Sequence, residues 1–347
     1  MKIFLFLSIL LAALYSCNSN SNKTDIKVEK YNNAYRNKEN KKLKITDLKE
    51  REIPIIDVHE HVQTIKDAEI LLEIMNKYNI KKTCLMSSSI YTFTLDNKYG
   101  FERFKENNET LIELNKKYPE RFSAFITINP LEKNNLELVK DYVNRGAEGI
   151  KLYIGHGAAT GKGPFHSMPI DDKRMLPIYQ WAEQTQLPIL MHVNLTKYYS
   201  EFMHLLELFP NIKICIPHFG LHKNTAKRLN RLGKIFDKYP NVYTDCSFGH
   251  PDFHIEGFEA MSKWRSRSKE FIEKYADHIM YGTDMVIEKS KTKSYVENTI
   301  RSYMQWLEST EFLFFLKSKK PMWGLNINKE TLQKIYWKTP SKFLLKN

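Results

Sequence analysis

Residues 54–62 read PIIDVHEHV, and this stretch decides how the rest of the chain is read. Its apolar, β-branched start predicts a strand, in which side chains alternate between two faces. Strict alternation puts Asp57, His59 and His61 on one face and Ile56 and Val58 on the other. An acid and two imidazoles on one strand face are a costly polar burial unless they hold something, and a divalent cation is what such donors hold. Glu60 is expected to point away from them in a structural role. Asp57 is expected to orient one of the histidines.

Moving outward, similar runs recur: KKTCLMSS, FSAFITINP, GIKLYI, PILMHVN, IKICIPHFG, NVYTDCSF and HIMYGTDM. Between them lie segments with apolar residues at three- and four-residue steps, such as residues 67–80, 135–146, 200–210 and 263–275. Eight strands alternating with helices predict parallel βα units. That count fits an α/β fold closed as a single-domain (β/α)8 TIM barrel spanning residues 51–347. The tail from 326 to 345 reads as a last helix packed through Leu332, Ile335 and Tyr336.

In such a barrel, function gathers at the carboxyl ends of the strands. Polar residues collect there: His59 and His61 on the first, Lys151 on the fourth, His192 on the fifth, His218 on the sixth and Asp284 on the eighth. If Lys151 points inward, so does Tyr153, and Ile150 and Leu152 face the helices. His192 inward likewise sends Ile189, Met191 and Val193 outward. Three imidazoles (His59, His61, His192) and the Asp284 carboxylate form a ligand set for one divalent metal. Zn2+ suits it best, with Mn2+, Fe2+ or Co2+ as other occupants. Such a metal activates water, with Asp284 as general base. His218 stands beside it to polarise the substrate or carry a proton.

This arrangement resembles the amidohydrolase superfamily of metal-dependent barrels, and the wording YGTDM and PHFG is most similar to its amidohydrolase-related branch. The resemblance runs from about residue 53 to residue 345. It implies either a hydrolase of a small amide, ester or lactone, or a non-oxidative decarboxylase of an unsaturated or aromatic acid. Residue by residue, it implies His59, His61, His192 and Asp284 as ligands and His218 as the assisting histidine. Lys151 has two readings under it. Carboxylated, it would bridge a second metal; unmodified, its ammonium would bind a substrate carboxylate. One metal and an unmodified lysine are expected. A third possibility is a binding lipoprotein without activity.

The loop GHGAATGKG, residues 155–163, lacks the spacing of a phosphate loop. It is expected instead to cover the pocket, with His156, and His166 beyond it, touching substrate. His222, after PHFG, is expected to reach the mouth, and His250, Asp252 and His254 to lie on the rim. No Gly-x-Ser-x-Gly elbow occurs, and no CxxC.

The chain of 347 residues carries a formal charge of +13, dispersed mainly as lysine. No basic block with interleaved aromatics accompanies it, so a nucleic-acid partner is not expected. A dispersed lysine excess reads first as a solvated surface, one that would also suit a small acidic substrate or an anionic membrane. Residues 1–16 read as a signal peptide whose end, LYSC, resembles a bacterial lipobox. That resemblance implies lipidation of Cys17, and Asn18 after it implies sorting to the outer membrane, with the domain facing the periplasm. Residues 17–50 are polar and read as a tether. Cys84, Cys215 and Cys246 sit in apolar runs and are expected to be small buried hydrophobes. Oligomeric state is not legible.

Overall fold

The computed structural model describes residues 52–87, 103–155, 168–249, 251–316 and 321–345. The signal peptide, Cys17, the tether, and the loop carrying His156 and His166 lie outside them, as does His250.

Eight strands lie in sequence order in one sheet: β1 (Ile55–Val62), β2 (Ile80–Ser87), β3 (Phe122–Thr127), β4 (Gly149–Leu152), β5 (Ile189–Met191), β6 (Ile214–Cys215), β7 (Val242–Asp245) and β8 (Ile279–Met280). Every recorded pairing in this sheet is parallel. The ring is nearly closed by bonds from the β8 end back to β1: Val58 N–H to Tyr281 O (3.0 Å), Asp284 N–H to His59 O (2.7 Å) and Ile287 N–H to His61 O (2.7 Å). All eight expected strands are present, and the helices between them give the (β/α)8 arrangement.

The first crossover shows why the strands end sharply. Thr64 caps α1 (Ile65–Lys77) in a reciprocal box with Asp67, so the chain turns into helix just past Val62. The other crossover helices are α2 (Phe104–Lys117), α3 (Asn135–Asn144), α4 (Leu176–Thr185), α5 (Tyr199–Leu208), α6 (Ala226–Lys238), α7 (Pro251–Lys263) and α8 (Arg265–Lys274). Beyond β8 come α9 (Lys293–Glu308), a short hairpin β9 (Glu311–Phe312) and β10 (Met322–Trp323), then α10 (Lys329–Gln333) and α11 (Thr339–Leu344).

Two apolar layers fix the strand faces. Ile150, Leu152, Ile189, Met191 and Val193 pack with the helices, as their parity requires. A separate cluster takes Ile56 and Val58, Cys84 and Met86, Phe125, Leu190, Cys215, Tyr243 and Met280 from seven strands, which makes it the barrel interior. Phe343 of α11 joins this cluster and plugs the end where the strands begin. The expected apolar stripe Leu332, Ile335 and Tyr336 is buried, and Cys84, Cys215 and Cys246 are buried free thiols. Among the described residues no helix is long and apolar enough to cross a membrane.

One expectation fails here. Ile56 and Val58 face the interior, not Asp57. The β1–β2 register runs Asp57↔Thr83 and then Glu60↔Leu85, three residues against two. This bulge reverses the alternation between Val58 and His59. His59 and His61 therefore share the interior with Val58, while Asp57 and Glu60 turn the other way and share the Thr283 hydroxyl.

Candidate metal centre

Above the apolar interior, four strand ends bring nitrogen and oxygen donors together. His59 Nε2 and His61 Nε2 lie 3.2 Å apart. Asp284 Oδ1 is 3.5 Å from the first and 3.2 Å from the second, and its Oδ2 is 3.4 Å from His218 Nε2. One donor atom each from His59, His218 and Asp284 falls within 4.8 Å of the others, all three residues being buried. His218, read from the sequence as standing beside the ligands, thus has a donor atom within reach of the same cation position. His192 is half-buried, with its ring centroid 5.0 Å from that of His218.

The partners on the far sides of the rings decide which nitrogens are bare. His59 Nδ1–H donates to Asp245 Oδ2 at 2.8 Å. His61 Nδ1–H donates to the Ser87 carbonyl, and His218 Nδ1–H to the Ser247 carbonyl at 3.0 Å. A carbonyl only accepts, so the proton of each neutral ring sits on Nδ1 and Nε2 presents a lone pair. Burial, helped by the Lys151 charge, pushes His59 down to about 4, and burial lowers His218 as well. Burial alone would raise the Asp284 carboxyl, but positive charge on the surrounding rings, when they carry it, outweighs burial and sets the direction well below the usual range. Bare nitrogens and an ionised carboxylate face one another at near-contact distances. Only cations relieve such a cluster, and the Lys151 ammonium, 3.0 Å from His59 Nε2, is one. Neutral imidazoles plus carboxylate is also the donor chemistry of a zinc, manganese or iron site, so these residues fit a divalent metal.

Backbone conformation aims the carboxylate. Asp284 has φ 47°, in the left-handed region. Gly249 lies against it with φ 89°, where a Cβ would come within 3.0 Å of Asp284 Oδ2. A side chain at 249 would be strained and would press on the carboxylate.

Asp245 is the residue that sequence reasoning missed. Its Oδ1 accepts from the backbone N–H groups of His218 (3.1 Å) and Ser247 (3.0 Å) and from the Ser247 hydroxyl (2.5 Å). Burial, the largest single effect, would raise it, but the His59 and His218 rings and the Ser247 hydroxyl together outweigh it and hold it at about 2. One carboxylate thus orients a ring on β1 and the backbone after β6. The signal was present, since NVYTDCSF ends the seventh run on an acid. Asp245→Asn should keep the shape but lose the charge that fixes the His59 tautomer. Loss of such an outer partner typically costs 10–100-fold in metal affinity or activity, a shift of roughly that size being expected in a metal titration.

Asp57, expected to orient a ring, does something else. It accepts from the backbone N–H groups of His59 (3.1 Å) and Thr283 (3.3 Å). The Thr283 hydroxyl lies 2.6 Å from Asp57 Oδ2 and 2.8 Å from Glu60 Oε2. One hydroxyl proton cannot serve both oxygens fully, so the two carboxyls compete for it. Burial, with Glu60 close by, raises Asp57 well above its ordinary value.

The remaining candidates fall in different places. Tyr153 is buried beside the centre, its hydroxyl donating to the same Ser87 carbonyl at 3.1 Å and its ring 5.0 Å from Lys151 Nζ. His222 is fully buried, and the charges that bear on it are Arg228 and Arg231 of α6, which with burial lower it to about 4. His254 is buried rather than on an open rim, its Nε2 3.3 Å from the Thr283 carbonyl, while Asp252 is exposed.

Comparison with known proteins agrees with this geometry. No curated protein matches the chain. Among solved structures, it is similar to a probable 2-pyrone-4,6-dicarboxylic acid hydrolase from Acinetobacter baumannii with citric acid bound (13% identity, 84% of this chain and 99% of that one, TM-score 0.56). It is also similar to 4-oxalomesaconate hydratase from Rhodopseudomonas palustris (16% identity, 84% and 95%, TM-score 0.53). A third is 5-carboxyvanillate decarboxylase from Novosphingobium aromaticivorans, complexed with manganese and 4-hydroxy-3-methoxy-5-nitrobenzoic acid (15% identity, 86% and 98%, TM-score 0.53). At such identities the likeness carries the fold alone. The family model described as Amidohydrolase matches residues 56–345, nearly the whole barrel and every residue of the imidazole–carboxylate cluster. The chain belongs to the amidohydrolase family, in its amidohydrolase-2 branch.

Proposed function

We propose that the chain is a metal-dependent hydrolase of a small amide, ester or lactone that carries a carboxylate. The observation behind this reading is the meeting of the His59, His61 and His218 Nε2 atoms around both oxygens of Asp284. His59, His61 and Asp284 would hold one divalent cation, with His192 completing the set expected from the sequence. The metal when bound supplies Lewis-acid polarisation of the carbonyl and activation of water.

The chain's own residues do the rest. Asp284, ionised and buried, takes the proton of the attacking water, its Oδ2 being the oxygen nearer His218. His218, a neutral ring with its proton on Nδ1, offers Nε2 to the same region and can relay that proton to the leaving group. Asp245 keeps the His59 proton on Nδ1 throughout. Lys151 lies at the centre with 1% exposure, and burial lowers it to about 8, so an ammonium there has a strong call for an anionic partner. We assign it the substrate carboxylate. The three compared enzymes are named for acids, which agrees with that substrate class.

The test is metal analysis of the purified chain combined with a screen of amides, lactones and carboxylic acids. A metal-free protein whose behaviour ignores added metal would favour a binding role and sink the enzymatic reading. Lys151→Met should discriminate among substrates. A hydrogen bond to a charged group is worth about 1.5–3 kcal/mol, so kcat/KM for an acid should fall roughly 10–100-fold. An uncharged analogue should be affected far less. Equal losses on both would argue against carboxylate binding, and activity that depends on added bicarbonate would argue for a carboxylated lysine and a second metal.

Decarboxylation is the second reading, favoured by the placement of the Lys151 ammonium 3.0 Å from His59 Nε2, where it would hold a carboxylate beside the imidazoles. Release of carbon dioxide from an unsaturated or aromatic acid would select it. At the amino end we propose lipidation of Cys17 and attachment to the outer membrane, the barrel facing the periplasm. Cys17→Ser should move the protein from the membrane fraction to the soluble one; unchanged partitioning would refute the anchor.

A further inference from the structure

Glu60 stands between the two histidines in sequence and on the other side of the strand in space. It is fully buried, and its carboxylate takes four hydrogen bonds. Oε1 accepts from the backbone N–H groups of His61 (2.8 Å) and Val286 (2.9 Å). Oε2 accepts from the Met285 N–H (3.1 Å) and lies 2.8 Å from the Thr283 hydroxyl. The turn it holds is strained. Asp284 has φ 47° and Val286 φ 55°, and a β-branched residue in the left-handed region is a true outlier. Such conformations persist only where the surroundings over-determine them.

A second group grips the same turn from its carbonyl side. The half-buried Lys291 directs its ammonium to the carbonyls of Met285 and Val286, the latter at 2.8 Å. The peptide unit between Met285 and Val286 is therefore held at both poles, the Glu60 carboxyl on its N–H and the Lys291 ammonium on its carbonyl. The turn is also tied to β1 by the bonds of Asp284 N–H to His59 O and Ile287 N–H to His61 O. Relaxing Val286 to an ordinary φ would break the Glu60 contacts and swing the Asp284 carboxylate.

We infer that Glu60 and Lys291 are positioning residues that clamp the strained turn after β8 so that Asp284 meets the His59 and His61 Nε2 atoms. The inference rests on Asp284 being a metal ligand. It explains why an acid, and not a neutral residue, follows His59. Glutamine has one oxygen, so whichever way its amide is turned, at least one backbone N–H is left facing an N–H.

The experiment is a calorimetric titration of the metal-stripped full chain with Mn2+ and with Zn2+, in parallel with amide hydrogen exchange of the metal-free form. Glu60→Gln should weaken Mn2+ binding about 10–100-fold, the usual cost of losing a partner that orients a ligand. Exchange at Met285 and Val286 should accelerate in the same variant. Adding Val286→Gly, which accepts the positive φ without strain, should recover part of the lost affinity. A residue that merely stabilises the fold predicts no such rescue. If Glu60→Gln does not fold, Lys291→Met on the outer side of the turn carries the test, with faster exchange and weaker binding expected. Wild-type protein that binds neither metal removes the metal reading and this inference with it. Wild-type binding with unchanged affinity and exchange in the variants removes this inference alone.

Discussion

His59→Ala is expected to strip the chain of its metal and bring turnover down to background. Several interactions end on that ring. Its Nε2 faces His61 Nε2 and Asp284 Oδ1, its Nδ1 holds Asp245, and the Lys151 ammonium lies 3.0 Å from Nε2. Truncation removes one donor from the cluster and leaves Asp245 and Lys151 as buried charges without their shared partner. Leaving a buried group without its hydrogen-bond partner costs about 1–3 kcal/mol, and more where that group is charged, so a lower melting temperature should accompany the loss. Circular dichroism distinguishes a folded, metal-free barrel from an unfolded chain. Elemental analysis then gives the decisive number. A folded variant that keeps both its metal and full activity would end the hydrolase and decarboxylase readings together.

Asp284→Asn separates holding a metal from using it. The substitution keeps the volume and one oxygen, so a fraction of metal binding should survive. The amide cannot take a proton at the other position. General-base catalysis contributes typically 10²–10⁴-fold, and kcat should fall by roughly that factor. KM should move much less, because the substrate contacts assigned to Lys151 are untouched. Steady-state kinetics at saturating metal is the measurement. An unchanged kcat would show that another group receives the proton, and His218, 3.4 Å from Asp284 Oδ2, would be the next candidate.

These two variants probe residues that a reader of the sequence could already find. His59, His61, His218 and Asp284 each end an apolar run, and in a parallel barrel all strand ends share one mouth. Their convergence follows from the topology once the strands are identified. Lys151 with Tyr153, and His192, could also be assigned inward faces, because β4 and β5 keep a strict alternation. The assignment of Asp57 failed for a definite reason. Period-two reading assumes an unbroken ladder, and β1 contains an extra residue between its pairings at Asp57 and Glu60.

By itself the sequence determined the barrel, the end at which donors gather, and the chemical type of those donors. Such features are set by local periodicity and residue identity, which are properties of the chain read in order. Only the tertiary structure decided that His218 has a donor atom within reach of the same cation position as His59 and Asp284, that Asp245 and not Asp57 holds the His59 ring, and that Glu60 braces the turn bearing Asp284. His59 and Asp245 are separated by 186 positions, and Glu60 and Val286 by 226. Which far-off partner a buried polar atom finds depends on strand register and on a one-residue bulge. Those are set by the packing of the whole ring, and no stretch of the chain encodes them alone.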